Sequence, residues 1–171
     1  TFPANYVDNL CVDTAYRKQG LAPRLIQSHE YNMRHKSKSV QVSLFKREGE
    51  MTAIVPLTTY QTVCVSAKSI PNKKVEYTTA KVLPVNDQSI SDALAFVKQT
   101  AGSYKCCIHP DKMAIAYQLK KRYLDCFILI ESGVVYAAFF FKNSSVWVND
   151  EKCIEMVASI NNCPHNETFI A

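Results

Sequence analysis

The residues best suited to chemistry lie near the amino-terminal end of the chain. An apolar segment, residues 6–12, leads into a turn, residues 13–21, that contains Gly20. A helix-like segment that opens Ala22-Pro23 follows this turn. A strand, a glycine-containing turn and a helix N-terminus gather backbone N–H groups of the kind that hold a pyrophosphate. The stretch therefore predicts a phosphate-binding turn over residues 13–22.

Six residues of the turn are the predicted phosphate contacts. Gly20 allows a close approach because it has no Cβ, and Arg17 can donate a charge-assisted hydrogen bond to a phosphate oxygen. The dipole of the following helix favours an anion there by roughly 0.5 to 1 kcal/mol. The predicted set is Arg17, Lys18, Gln19, Gly20, Leu21 and Ala22.

The turn resembles a known acyl-CoA-binding segment. Arg17-x-x-Gly20-x-Ala22 fits the loop pattern [Arg/Gln]-x-x-Gly-x-[Gly/Ala] of the GNAT superfamily of N-acetyltransferases. The string Leu-Cys-Val-x4-Arg-x3-Leu-Ala-Pro-x-Leu-Ile, which begins at Leu10, resembles the pyrophosphate segment of N-myristoyltransferases. This similarity is strong over residues 5–26, weaker through Lys74, and limited to the order of elements beyond.

The resemblance implies a function for the chain. It implies transfer of an acyl group from acyl-CoA, with acetyl-CoA or myristoyl-CoA as the co-substrate, to a primary amine. The acceptor would be a small amine or a peptide, including a protein N-terminal glycine. The backbone N–H groups of Asn9 and Leu10 occupy the positions that this family uses as an oxyanion hole, and Thr52 falls where the acceptor amine could be held.

Two other interpretations stay open. One is a GNAT acetyltransferase that acts on a small amine or a lysine, because Gly20 stands where N-myristoyltransferases usually carry a basic residue. The other is a non-catalytic structural or interaction module with the same fold. Ile54 replaces a glycine of the N-myristoyltransferase pattern, and no general base can be assigned from the residues, which favours the second alternative.

The histidines and cysteines point to no second chemistry. His29 is predicted to pack in the core on the apolar face of a helix, and His109 to cap another helix. Cys11, Cys64 and Cys126 lie in apolar, strand-like runs and are predicted to pack as small hydrophobic residues. An odd count of seven cysteines without a Cys-x2-Cys pair predicts reduced thiols, no metal and a cytoplasmic location.

Composition limits the class of protein. At 171 residues with 47% hydrophobic and 20% charged residues, the chain suits one globular domain or two small lobes. A net charge of +5 favours anionic partners. No tract matches a zinc finger or an RNA-binding signature, so nucleic acid is not a predicted partner. No apolar run approaches the roughly 20 residues of a membrane span.

Hydrophobic periodicity predicts an α/β fold of the GNAT type, with a mixed sheet flanked by helices. In the first half, strands are predicted over residues 6–12, 40–45 and 58–66, with a helix over 22–36. In the second half, a strand over 75–85 precedes two helices, which begin near Ile90 and Asp111. A hairpin over 124–141 and a helix over 152–160 close the pattern.

This order of elements predicts either a circularly permuted acetyltransferase fold or a chain that spans parts of two tandem lobes. Residues 1–74 are the predicted acyl-CoA-binding half, and residues 75–171 form the second half. The run 136–141 is too dense in aromatic residues to alternate cleanly. It predicts a strand buried on both faces, or one that packs against a protein partner or a second copy of the chain.

Overall fold

The structure is a computed structural model that describes residues 2–7, 10–46, 55–70, 79–104 and 107–163. The chain divides into two compact units, Thr1–Gln61 and Thr62–Ala171. The sequence analysis predicted the boundary between the two halves after Lys74, a residue that lies outside the described residues. The assignment of acyl-CoA binding to the first half stays a prediction.

The first unit is a strand–helix–strand crossover. Strand β1 (Ala4–Val7) pairs in parallel with β2 (Val42–Phe45), and helix α1 (Leu21–Lys36) connects them. The partly buried residues of α1 recur at helical spacing and so form one face, as in Ile26, His29 and Met33. The helix and the parallel pairing of its flanking strands are confirmed.

Two strands predicted for this part of the sequence are shorter than expected or absent. The described part of β1 ends at Val7, and residues 10–12 have no regular structure. Residues 55–66, which include the predicted strand 58–66, are also irregular. Alternating β-branched residues such as Val63 and Val65 suggested a half-buried strand, yet both are exposed. A strand needs a hydrogen-bonded neighbour, and none pairs with this segment among the described residues.

The second unit is a four-stranded antiparallel sheet with two helices on one face. The strands stand in the order β3 (Lys81–Pro84), β4 (Leu124–Glu131), β5 (Val134–Val148) and β6 (Glu151–Asn161). Helices α2 (Ile90–Thr100) and α3 (Lys112–Lys120) come between β3 and β4 in the chain. With parallel pairing in the first unit and antiparallel pairing in the second, the predicted α/β class with flanking helices is confirmed.

The aromatic run 136–141 lies on β5, between β4 and β6. Phe140 belongs to the main core cluster, which includes Ile90, Phe96 and Ile128 from α2 and β4. Phe139 packs in a second cluster, formed around Leu129, Ala137 and Cys163. Burial of this strand on both faces is therefore confirmed, whereas a contact with a partner or a second copy stays a prediction.

The helix predicted over residues 152–160 is wrong, because this segment is strand β6. Asn149 and Asp150 join it to β5, and both adopt positive φ angles of 49° and 61°. Two such residues in succession form a turn whose twist suits a hairpin. β6 can therefore pair with β5, and the backbone hydrogen bonds of this pairing replace those of a helix.

Three further details differ from the sequence analysis. Cys126 is buried as predicted, but Cys11 and Cys64 are exposed because their segments are not strands in a core. Helix α3 is capped by Asp111 rather than by His109. The Asp111 carboxylate accepts hydrogen bonds from the backbone N–H groups of Met113 and Ala114 at 2.9 and 3.2 Å. The imidazole of His109, two residues earlier, makes neither of these hydrogen bonds.

Candidate phosphate-binding site

The turn that precedes α1 is held by its own hydrogen bonds. Residues Thr14–Tyr16 form a short 3-10 helix. The Asp13 carboxylate accepts a hydrogen bond from the Ala15 N–H at 2.8 Å, and the Asp13 carbonyl accepts one from the Tyr16 N–H at 3.0 Å. This carboxylate is thus engaged in shaping the turn, although it is a negative charge close to the proposed anion site.

Two residues with left-handed backbone conformation connect the turn to the helix. Lys18 has φ 63° and Gly20 has φ 73°. Gly20 takes this conformation without the steric cost that a Cβ would bring. It occupies the N-cap position of α1 and gives the helix no side-chain cap.

The first backbone N–H groups of α1 are open at the helix N-terminus. The N–H groups of Leu21 and Ala22 precede the first intrahelical hydrogen bond, which runs from Arg24 N to Gly20 O at 3.4 Å. Pro23 lies in the first turn, as predicted, where its missing N–H removes no helical hydrogen bond. Among the described α-helices, α3 is capped by the Asp111 side chain, whereas α2, like α1, has no side-chain cap, although residues 86–89 before it are hydrogen-bonded to one another.

An open pocket of about 180 Å³ lies at this end of the helix. A water molecule takes up about 30 Å³ of the liquid, so the space exceeds that of several waters. The residues that line it are Val12, Tyr16, Arg17, Lys18, Gly20, Leu21, Ala22 and Pro23.

The polar side chains of the turn take different positions. Arg17 Nε donates a hydrogen bond to the Val12 carbonyl at 3.1 Å, which holds the guanidinium group against the pocket wall. Its two terminal nitrogens have no acceptor among the described residues, so they can donate to a bound anion. Gln19 instead donates through Nε2 to the Ala15 carbonyl at 3.4 Å and supports the turn.

Five of the six predicted phosphate contacts therefore line one pocket. Gln19 is the exception. The sequence analysis missed Val12, Tyr16 and Pro23, which also line the pocket. Tyr16 directly precedes Arg17, and its position depends on the 3-10 helix, which no sequence pattern had indicated.

Of the residues predicted for the transfer step, the structure describes Leu10 alone, and Leu10 does not line this pocket. Leu10 is 47% exposed and lies between β1 and the turn. Asn9 and Thr52 lie outside the described residues. The oxyanion hole and the acceptor contact therefore stay predictions.

Glu30 connects α1 to the neighbouring strand. Its carboxylate accepts hydrogen bonds from Arg34 Nε at 2.7 Å and from Ser43 Oγ, on β2, at 3.2 Å. The hydrogen bond from Arg34 is the main cause that lowers the pKa of Glu30 below its usual 4.5. His29 was predicted to be a core histidine with satisfied polar atoms, but it is only partly buried and its Nε2 has no hydrogen-bond partner among the described residues.

Metal binding and membrane insertion were also considered for the described residues. No group of three or more His, Cys, Asp or Glu side chains among them could hold a metal ion. No helix in the described ranges is long and apolar enough to cross a membrane.

Comparison with solved structures gives a partial similarity to an N-acetyltransferase. No protein-family model and no curated protein sequence matches the chain. A solved structure, the ribosomal-protein-alanine N-acetyltransferase from Brucella melitensis biovar Abortus 2308, is similar with a TM-score of 0.41 and 13% identity. The similarity covers 54% of this chain and 64% of that enzyme, which is less than two thirds of its length. A TM-score below 0.5 does not establish a shared fold. Support for a function therefore comes from the turn that precedes α1.

Proposed function

We propose that the turn at residues 17–22 binds the pyrophosphate of acyl-CoA and that the protein is an acyl-CoA-dependent N-acyltransferase. The observation that carries this proposal is the uncapped N-terminus of α1. Backbone N–H groups, the left-handed Gly20 and the Arg17 guanidinium all border the same pocket there.

A pyrophosphate suits this arrangement because it needs several donors at once. The N–H groups of Leu21 and Ala22 point out of the helix end, where the helix dipole also favours an anion. Arg17 supplies a charge-assisted donor on one wall, and Lys18 supplies a second cation. The nearest carboxylate in the sequence, that of Asp13, accepts a hydrogen bond from the Ala15 N–H of the turn, which reduces its competition for these donors.

The proposed reaction is direct attack of a primary amine on the thioester carbonyl. The N–C bond forms, the C–S bond breaks, CoA leaves as the thiol, and the amine loses its proton. The N–H groups of Asn9 and Leu10, which precede the turn, are the proposed donors to the oxyanion, and Thr52 is the proposed acceptor contact. A donor of this kind is worth about 2.7–4 kcal/mol in the transition state.

A thermal-shift titration with CoA, acetyl-CoA and myristoyl-CoA tests the binding step. A ligand at 100 times its Kd should stabilise the protein by about 2.7 kcal/mol, which raises Tm visibly. ATP serves as a control that carries adenine and phosphates but no pantetheine arm. The rank order of the three CoA compounds then distinguishes an acetyl donor from a myristoyl donor.

Two variants test whether CoA binds at the turn. Arg17→Ala should weaken CoA binding by about 10- to 150-fold, because a hydrogen bond to a charged group contributes about 1.5–3 kcal/mol. Lys36→Ala removes the same charge at the other end of α1, about 24 Å away for a 16-residue helix, and should leave binding unchanged. Equal losses in both variants would indicate a general charge effect, and no shift with any CoA compound would contradict the proposal. Binding without acyl transfer to any amine would leave the non-catalytic module.

A further inference from the structure

Two cysteine sulfurs meet in the second unit. Cys64 lies in an irregular segment just before the 3-10 helix Ala67–Ser69, and Cys153 lies on β6. Their Sγ atoms are 3.9 Å apart, although the residues are separated by 89 positions in the sequence. Cys64 is exposed and Cys153 is partly buried, so both can be reached from solvent.

A second contact holds the same two segments together. Lys68 Nζ lies 2.7 Å from Glu151 Oε1, four residues after Cys64 and two residues before Cys153. The 3-10 helix that carries Lys68 is closed by a hydrogen bond from Ser69 Oγ to the Ser66 carbonyl at 2.7 Å. The two contacts pair Cys64 with Cys153 and Lys68 with Glu151, so residues 64–68 run antiparallel to the start of β6. The path of this segment therefore brings the two sulfurs close together.

The backbone around Cys153 is also irregular. Pairing of β5 with β6 is regular at Trp147↔Lys152 and Asn143↔Ile154, but the register shifts between Asn143 and Trp147. Cys153 falls in this interval. Three residues of β5, 144–146, lie opposite this single position of β6, so the ladder is interrupted beside Cys153. The sulfurs must approach by about 2 Å to reach the bond length of a disulfide.

We propose that Cys64 and Cys153 form a redox-active dithiol, which a two-electron oxidant converts to an intrachain disulfide that fastens residues 62–70 to the β5–β6 hairpin. With hydrogen peroxide, one sulfur attacks the O–O bond to give a sulfenic acid and water. The second thiol then displaces the hydroxyl as another water. Two S–H bonds and one O–O bond break, one S–S bond forms, and the cysteines together lose two electrons and two protons.

The other described cysteines are less suited to this reaction. Burial raises the pKa of the Cys126 thiol to about 12, which keeps it protonated and unreactive. Cys163 is buried, Cys11 is exposed but is the one cysteine in the sequence of residues 1–61, and Cys107 is partly exposed but hydrogen-bonds to no described cysteine. In the parts of the chain that the structure describes, no other cysteine hydrogen-bonds to a second cysteine.

The experiment is oxidation of the full, reduced chain with hydrogen peroxide, followed by alkylation and non-reducing peptide mapping. We expect a peptide that joins Cys64 to Cys153, a mass lower by two hydrogens, and five alkylated cysteines out of seven. Dithiothreitol should restore all seven. A linked peptide from another pair, sulfinic acid without a crosslink, or disulfides only between two chains would each overturn the proposal.

Single variants test the assignment independently. Cys64→Ser and Cys153→Ser should each abolish the intrachain crosslink, while Cys11→Ser, which removes another exposed thiol, should leave it intact. Far-UV circular dichroism confirms that each variant is folded. In the wild type, oxidation should raise Tm by several degrees, since the bond restricts the unfolded chain. The same oxidation should leave the Tm of the Cys153→Ser variant unchanged.

Discussion

The two units differ in how they are stabilised. Every residue that is buried in the described structure, from Ile90 to Cys163, belongs to the second unit. In the first unit, no described residue is buried, and α1 has no buried residue along its 16 positions. The unit that carries the proposed phosphate-binding turn therefore has little core of its own. Regions with few buried apolar contacts open more easily than a packed core, and ligand-binding segments often belong to them.

Helices α3 and α1, one from each unit, also differ in how their first backbone N–H groups are satisfied. Helix α3 begins with two hydrogen bonds from backbone N–H groups to Asp111, whereas α1 begins at Gly20 with no side-chain cap. Helix α3 therefore satisfies its first N–H groups within the chain. At α1, the proposed pyrophosphate would supply the acceptors that no side chain supplies.

The largest expected effect comes from the core of the second unit. Ile128 is 2% exposed and contacts both the sheet and the helices above it. Ile128→Ala should lower the free energy of unfolding by about 2–5 kcal/mol, because it removes buried methyl groups and leaves a cavity. Urea denaturation followed by circular dichroism measures the loss.

The matched change in the first unit is Ile26→Ala, on the partly buried face of α1. It should cost clearly less than Ile128→Ala in the same experiment. Equal costs would show that the first unit is buried as deeply as the second and would break the comparison.

Gly20→Ala is expected to have the next largest effect on stability. The Cβ of alanine would meet no atom within 4 Å, so the cost is conformational only. A left-handed backbone with a side chain costs about 1–2 kcal/mol. Hydrogen exchange of the α1 amides should become faster, and CoA binding should weaken.

Gly102→Ala is the control for this change. Gly102 also has open space around the position of a Cβ, but its φ angle is not positive. The substitution should be neutral or slightly stabilising. If the two alanine variants behave alike, the backbone conformation of Gly20 does not matter to the turn.

Removal of the α3 cap should have a smaller effect. Asp111→Ala leaves two backbone N–H groups without their acceptor and should cost about 1 kcal/mol. Asp111→Asn keeps an acceptor oxygen and should retain most of the stability. Because α3 is closed by its own side chain, CoA should not offset the loss, whereas added CoA should slow exchange at the start of α1.

The parts of the fold that the sequence predicted are those with local signals. Helical spacing with Pro23 in the first turn indicated α1, and the Gly133 turn indicated the β4–β5 hairpin. The helix over 152–160 was wrong because the Asn149-Asp150 turn was not recognised and because pairing with β5 overrides local preference. The strand over 58–66 was wrong because alternation predicts a strand only where a neighbour can pair with it.

In the candidate site too, residues close together in the sequence could be predicted, whereas contacts between distant residues could not. The turn is continuous in sequence, and five of the six residues predicted for it border one pocket. Contact between Cys64 and Cys153 could not be predicted, because 89 positions separate the two residues and neither lies in a recognisable motif. Long-range contacts of this kind depend on the path of an irregular segment, which no periodicity describes.

The smallest effect, and the one that depends on pH, concerns Glu30. Its pKa is lowered in the folded state, so its charged form contributes stability above the usual pKa of 4.5, and this contribution is lost as pH falls through the lowered value. Glu30→Gln should therefore speed hydrogen exchange of α1 at pH 7, relative to the wild type at the same pH, and have little effect at a pH below the lowered pKa of Glu30. The site is exposed enough that solvent weakens the ion pair with Arg34, and the loss should be smaller than that from Gly20→Ala. An equal effect at both pH values would show that Glu30 acts through the shape of its hydrogen bonds to Arg34 and Ser43, not through its charge.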